Sequence, residues 1–246
     1  MKPQRLWLIP CAFFLAACAV NLYGCLLHNV TVERYVKGAL MPLLAVTGIA
    51  YLAQRPFDRR VAGTLLLAQM LGWAGDSLLM GDGFAWFASG IGCFLLGHIC
   101  YISIFSRAVK GLRPVTWVIA IIVMAALLVA LVLGIGINGA LLAPMVFYGA
   151  ALLVITFCGL CGLVRGQGPS PAVWWMVTLG GLLFVISDGL IALRTFGLAH
   201  FGLRGFVIMS TYLVAQSLLC AAAARIALVK NNSYLCTDNP RVCCNW

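Results

Sequence analysis

Charged residues are scarce in this sequence, and acidic residues are scarcest. Only 9% of the 246 residues are Asp, Glu, Lys or Arg, whereas a soluble domain carries about 25%. Because 63% of the residues are hydrophobic, the chain lacks the polar residues needed to cover a water-facing surface. Apolar runs of about 20 residues recur along its length instead, and such runs predict transmembrane helices. The composition therefore excludes a water-soluble domain.

The apolar runs predict an all-α polytopic membrane protein with about eight transmembrane helices. These helices are predicted at about residues 6–27, 38–54, 61–80, 84–105, 114–133, 140–164, 173–195 and 206–229, with Tyr35 as an alternative start of the second. No segment has the composition of a linker, so we expect a single membrane domain over residues 1–246. Within it, residues 1–5 are expected to form a cytosolic N-terminus and residues 231–246 a polar tail with little order.

The formal net charge of +10 comes from 16 Lys and Arg against six Asp and Glu. The basic residues lie mostly in short loops between the predicted helices, where they set membrane topology, so no nucleic-acid partner is expected. With the N-terminus in the cytosol, twelve basic residues fall on the cytosolic side and four, namely Arg34, Lys37, Arg194 and Arg204, on the other. This asymmetry predicts that both termini are cytosolic.

The cysteines and histidines do not follow a metal-binding pattern. Eight of the eleven cysteines lie in or beside predicted helices, where a free Cys is a good packing residue. Cys158 and Cys161 form an isolated C-x-x-C pair, with no second pair and no histidine nearby. We therefore expect no metal site at the cysteines and no disulfide framework.

The stretch at residues 75–84, "GDSLLMGDGF", begins with the four letters of a soluble esterase signature. In that signature Ser77 would be the nucleophile, and a downstream Asp-x-x-His would be needed to activate it. The sequence contains no Asp-x-x-His, and its only histidine after His98 is His200. The esterase interpretation is therefore rejected, and Asp76 becomes the residue of interest.

Asp76 and Asp188 lie inside predicted helices, where a charged side chain costs about 2.5–3.5 kcal/mol on insertion scales. Each lies 15 residues after the start of its helix, and therefore about 22 Å from the cytosolic edge. The two acids are at equal depth, and few Lys or Arg residues lie inside the membrane to pair with them. We therefore predict that the two acids share a polar cavity. Since two ionised carboxylates would repel each other, one is expected to be protonated and the other ionised.

Two other interpretations of the acidic residues bear on this prediction. Small residues accompany both buried acids, as is typical of helix interfaces in membranes, so each Asp could instead simply hydrogen-bond a neighbouring helix. Asp82 lies between Gly81 and Gly83 and is expected to be an ordinary turn residue. It is therefore given no catalytic role.

A weak internal repeat relates the two acidic helices. "GDSLLM" at 75–80 is followed by "GHICYISIF", and "SDGLIA" at 187–192 is followed by "STYLVAQSLL". Asp76 precedes Tyr101 by 25 residues, and Asp188 precedes Tyr212 by 24. This spacing suggests a parallel duplication of a four-helix unit.

Polar residues on the fourth and eighth predicted helices are candidates for orienting water or substrate. His98 and Tyr101 share a face of the fourth helix, and Tyr212 and Gln216 share a face of the eighth. Counting along the fourth helix puts His98 about 13 Å in depth from the acids, in a supporting position. Counting along the eighth puts Tyr212 level with the acids, whereas the repeat puts Tyr212 level with Tyr101. These two inferences disagree.

The two acidic blocks resemble those of the lysoplasmalogenase (YhhN-type) family of polytopic membrane proteins. The first block is "GWAGDSLLM" through "FASGIGCFLLGHICYISIF", and the second is "LLFVISDGLIALRTF" followed by "STYLVAQSLL". In that family Lys and Pro lie close together at the start of the second helix, whereas Lys37 and Pro42 are five residues apart. Lys37 is therefore not assigned a role with substrate.

The resemblance implies hydrolysis of the vinyl ether bond of lysoplasmalogens to a fatty aldehyde and glycerophosphocholine or glycerophosphoethanolamine, without a cofactor. It also implies the endoplasmic reticulum as the location of a eukaryotic member. Asp76 and Asp188 would form the acid/base pair, because vinyl ether hydrolysis needs a proton donor and an anion. The expected partners are the lysophospholipid substrate and membrane lipids. A second copy of the chain, in a homodimer, is a further candidate partner.

A proton-coupled transporter is the main alternative, because it would use the same buried acids as a proton relay. No predicted helix is clearly interrupted within the membrane, which disfavours this alternative. Intramembrane aspartyl proteases also use two Asp residues on separate helices. The sequence lacks their Gly-x-Gly-Asp block and their Pro-Ala-Leu element.

Overall fold

The computed structural model describes residues 5–109, 114–135, 142–165, 169–195 and 202–238, which fold into a bundle of α-helices. The helices are α1 (Leu8–Leu26), α2 (Val30–Leu52), α3 (Arg59–Leu78), α4 (Phe84–Ala108), α5 (Pro114–Ile135), α6 (Leu142–Arg165), α7 (Pro171–Thr195) and α8 (Arg204–Asp238). Within this described part, six helices are long and apolar enough to cross a membrane. The chain is thus an integral membrane protein, and the predicted all-α class is confirmed.

Two helix ends differ from the sequence prediction by more than a few residues. Helix α2 begins at Val30, before both predicted starts (Tyr35 and residue 38), because the side chain of Asn29 caps it by accepting a hydrogen bond from the Val32 N–H (3.1 Å). Helix α8 continues to Asp238, into the segment predicted to be a tail. No Pro or Gly interrupts the chain between residue 229 and Asp238. Residues 1–4 and 239–246, at the predicted N-terminus and tail, lie outside the described ranges.

Glycines let each acidic helix pack closely against the helix that follows it. A Cβ atom added at Gly75 would lie 2.7 Å from the ring of Phe94 on α4. A Cβ atom added at Gly180 would lie 2.8 Å from Leu219 on α8. Small residues at such contacts allow close approach of membrane helices. As a result, Asp76 on α3 and Asp188 on α7 both face the interior of the bundle.

Replacing Gly159 by Ala is expected to lower the free energy of unfolding by about 1–3 kcal/mol, the usual cost of overpacking, because it disturbs the contact between α6 and α7. The added Cβ would lie 2.6 Å from the backbone nitrogen of Thr178, and backbone atoms cannot rotate away. The measurement is thermal unfolding of the purified protein in detergent. Gly92→Ala on α4 is the matched control, since nothing lies within 4 Å of its added Cβ. Equal unfolding temperatures for the two variants would contradict the described packing.

Candidate active site

A cavity of about 210 Å³ lies between α2, α3, α4, α5, α6, α7 and α8. Its wall is mostly apolar, so the sequence prediction of a polar cavity is only partly met. The polar side chains in the wall are Lys37, Asp76, Tyr148, Ser187, Asp188 and Tyr212. The two predicted acids, from helices far apart in sequence, therefore line the same cavity.

Asp76 is 2% exposed, and both of its carboxylate oxygens are engaged. The Nζ atom of Lys37 lies 3.0 Å from Oδ1, and the hydroxyl of Tyr212 donates to Oδ2 at 2.5 Å. The expectation that the acids have few basic partners in the membrane is therefore wrong for Asp76, which pairs with Lys37. Lys37 thus belongs to the site. The reason is the early start of α2, which places Lys37 two turns inside a helix packed against α3.

Asp188 has a different set of neighbours. The hydroxyl of Tyr148 on α6 donates a hydrogen bond to Asp188 Oδ2. Within the described residues, Lys37–Asp76 is the one salt bridge, and Asp188 forms none with Lys or Arg. The hydroxyl of Ser187 donates to the Ile208 carbonyl (3.1 Å), which ties α7 to α8 next to the acid. One acid is thus paired with a cation, and the other with a neutral hydroxyl.

The partners of the two acids occupy corresponding places in the two halves of the chain. Lys37 lies on α2, 39 residues before Asp76, and Tyr148 lies on α6, 40 residues before Asp188. A Gly-Ala pair follows each partner. This agreement extends the repeat of α3–α4 and α7–α8 to α2 and α6. Sequence reasoning did not find Tyr148, although the matching spacing was a signal that could have identified it.

His98 lies in the layer next to the cavity and is 2% exposed. Its Nδ1 lies 2.7 Å from the Phe94 carbonyl oxygen and therefore donates to it. Its ring makes edge-to-face contacts with Tyr148 (centroids 5.4 Å apart) and with Phe184 (4.6 Å). Because Phe184 precedes Asp188 by one turn, about 6 Å, His98 lies nearer to the acids than the predicted 13 Å. It supports the ring of Tyr148 and does not line the cavity.

Tyr101 and Gln216 form a separate buried cluster with Gln69. The amide of Gln69 donates to the Tyr101 hydroxyl (2.7 Å), which in turn donates to Oε1 of Gln216 (3.4 Å). Tyr212 is level with the acids, because its hydroxyl donates to Asp76. Tyr101 bonds Gln216, which lies one helical turn after Tyr212, so Tyr101 is about one turn away from that level. The count along α8 was therefore right, and the level given by the repeat was wrong. This cluster joins α3, α4 and α8 beside the cavity.

Ser77 is not among the described residues that line the cavity. Ser77 donates its hydroxyl to the Trp73 carbonyl (2.8 Å), as helical serines often do. His200 lies outside the described residues. Among the residues that the structure describes, no group of three His, Cys, Asp or Glu side chains could hold a metal ion. The polar side chains of the cavity wall carry carboxyl, hydroxyl and ammonium groups.

The cavity opens sideways at α5. Leu127 on this helix lines the cavity and is also 59% exposed, so it borders both the cavity and the exterior of the bundle. Helix α5 packs mainly against α6, and its other described faces are exposed and apolar. Within a membrane, these faces would contact lipid chains. The geometry therefore allows an apolar chain to enter the cavity from the side.

Comparison with known proteins gives one family. The family model of the YhhN family matches residues 32–223, from the first turn of α2 into the second half of α8. The match covers more than three quarters of the chain and includes every polar residue of the cavity wall. No curated protein and no solved structure matches the chain.

Proposed function

Because the chain belongs to the YhhN family, which is the lysoplasmalogenase family, we propose that it hydrolyses the vinyl ether bond of lysoplasmalogens. The products would be a fatty aldehyde and glycerophosphocholine or glycerophosphoethanolamine. The family match agrees with the resemblance carried by the two acidic blocks. The observation that carries the proposal is the presence of two carboxyl groups, Asp76 and Asp188, in one mostly apolar cavity.

Vinyl ether hydrolysis begins with protonation of the β-carbon by an acid, and the electron pair of the double bond forms the new C–H bond. The resulting oxocarbenium ion is stabilised by a nearby anion and captured by water, which loses a proton to a carboxylate. The hemiacetal then collapses, because its hydroxyl gives up a proton and its ether oxygen receives one. One water is consumed, and an aldehyde and an alcohol are released. Two carboxyl groups in different protonation states are sufficient for these proton transfers.

The composition of the cavity wall also supports a substrate with a hydrocarbon chain. Its apolar part, which includes Phe87, Leu127 and Leu153, would surround the hydrocarbon chain, and its polar end would hold the vinyl ether bond. The side opening at α5 supports entry of a single-chain lipid directly from the bilayer. The hydrocarbon chain of a lysolipid would then reach the site without passing through water.

Hydrolysis in D₂O is expected to yield an aldehyde with one deuterium at the carbon next to the carbonyl, because the acid delivers a solvent-derived proton to that carbon. The measurement is mass spectrometry of the aldehyde released from lysoplasmenylethanolamine by detergent-solubilised protein. A lysolipid with a saturated alkyl ether is the control, since it has no double bond to protonate and should not be cleaved.

Three results would contradict the proposed function. Aldehyde without deuterium would exclude protonation at carbon. Cleavage of the saturated ether would point to a different reaction. A lack of turnover by the purified wild-type protein, in detergent and in lipid vesicles, would favour the proton-coupled transporter, which could use the same two acids.

A further inference from the structure

We infer that, before each turnover, Asp188 is the protonated acid and proton donor of the site and Asp76 is its ionised carboxylate, and that Lys37 and Tyr148 are the positioning residues that fix this division. The inference rests on the proposed function, since it assigns separate roles to the two acids of that reaction. It is carried by the unlike partners of the two carboxyl groups: an ammonium group for Asp76 and a phenol for Asp188.

The first step is a count of charge in the cavity wall. Among the described residues that line the cavity, Lys37 is the one cation, and it lies 3.0 Å from Asp76. If Asp76 alone is ionised, the wall is neutral overall. If Asp188 were ionised as well, the wall would carry a net negative charge in mostly apolar surroundings, which costs free energy. The neutral arrangement requires a proton on Asp188.

The second step concerns the carboxylate oxygens. Both oxygens of Asp76 accept from a donor, namely the Lys37 ammonium at Oδ1 and the Tyr212 hydroxyl at Oδ2. A proton on Asp76 would compete with one of these donors, so the ionised form is favoured. Asp188 instead accepts from Tyr148 at Oδ2. A proton on Oδ1 of Asp188 would leave this hydrogen bond in place.

The third step considers the other titratable groups around the acids. Tyr212 on α8 donates to Asp76 and therefore does not neutralise a charge on Asp188. His98 on α4 faces the ring of Tyr148, and its Nδ1 donates to a backbone carbonyl, so it supplies no cation to Asp188. Lys37 is thus the group whose charge decides which acid is ionised. Tyr148 fixes the orientation of the acid that keeps its proton.

The assignment also returns both acids to their starting states. The Oδ1–H bond of Asp188 breaks as the β-carbon gains its proton, and Asp76 takes a proton from the attacking water. When the hemiacetal collapses, its hydroxyl proton passes to Asp188, and the proton on Asp76 passes to the leaving alcohol oxygen. No proton is needed from outside the site, and the Lys37–Asp76 pair is restored at the end of each turnover.

Infrared spectroscopy of the full-length protein near neutral pH tests the assignment without substrate. The wild type is expected to show one protonated-carboxyl band that shifts in D₂O. The band should be absent in Asp188→Asn and present in the double variant Lys37→Met/Asp76→Asn. Lys37→Met alone should double the band area, because Asp76 then lacks its cation and takes a proton. Lys37→Arg is the matched control and should keep a single band.

Tyr148 has its own signature in the same experiment. Tyr148→Phe should keep the band but move it to higher frequency, because the carboxyl group loses a hydrogen bond; a purely structural role for Tyr148 would leave the frequency unchanged. A band that survives Asp188→Asn and disappears in Lys37→Met/Asp76→Asn would overturn the assignment, as would the absence of any band in the wild type. Because no turnover is measured, a failure of the proposed function remains distinguishable from these outcomes.

Discussion

Asp188→Asn is expected to lower kcat for lysoplasmalogen hydrolysis about 10³-fold, within the range of 10²–10⁴ that general acid catalysis typically contributes. An amide in place of the carboxyl group keeps the shape of the side chain but cannot supply the proton that the β-carbon requires. The hydroxyl of Tyr148 can still donate to the amide oxygen, so the surrounding packing should persist. The measurement is the rate of aldehyde release at saturating substrate, with KM determined alongside.

Asp82→Asn is the control for this loss. Asp82 is exposed in the turn between α3 and α4 and does not line the cavity, so the substitution should leave turnover unchanged. Thermal unfolding of both variants in detergent verifies that they are folded. Wild-type turnover in folded Asp188→Asn would exclude Asp188 as the proton donor.

Asp76→Asn is expected to have two large effects that can be separated. The loss of the anion should lower kcat about 10²–10³-fold, the size of effect seen when one group that stabilises a transition-state charge is removed. The free energy of unfolding should also fall by about 3 kcal/mol, because Lys37 keeps its charge without a partner. This is the low end of the range for buried ion pairs, since the Lys37 side chain is 22% exposed.

The double variant Lys37→Met/Asp76→Asn separates stability from chemistry. Removing both partners of an ion pair is often close to neutral for stability, so the unfolding free energy should return towards the wild-type value. The turnover should stay low, because the carboxylate is still missing. Recovery of turnover together with stability would mean that Asp76 has only a structural role. Denaturant unfolding and aldehyde release, measured on the same preparations, provide the two readouts.

Hydropathy and residue counts predicted that the two acids lie at one level, and the structure places both in the wall of one cavity. Helix α3 starts two residues before its predicted start, and α7 also starts two residues early, so the count of 15 residues to Asp76 and to Asp188 placed both at one level. The start of helix α2 was predicted five to eight residues too late, at Tyr35 to residue 38 instead of Val30. Its first turns carry Glu33, Arg34 and Lys37, which lower the local hydropathy, whereas the capping by Asn29 is a polar signal that hydropathy does not detect.

The partners of the acids depend on rotation and tilt of the helices, which a residue count does not determine. Tyr101 and Tyr212 hold similar places in the repeat, yet Tyr212 reaches Asp76 while Tyr101 bonds Gln69 and Gln216. This divergence arises because side-chain direction around each helix axis depends on the packing of all its neighbours. The level of a residue along its helix is therefore more predictable from sequence than its contacts around the helix axis.

The side opening at α5 has a consequence for how such a protein responds to its substrate. If substrate enters through this opening, between Leu127 and the lipid-facing side of the bundle, the quantity that controls the rate is the mole fraction of lysolipid among the surrounding lipids. Its bulk concentration in water matters little. Adding inert phospholipid at constant total substrate would then slow the reaction by dilution in two dimensions. The two products would also separate between phases, with the aldehyde retained in the bilayer and the glycerophospho-alcohol released to water.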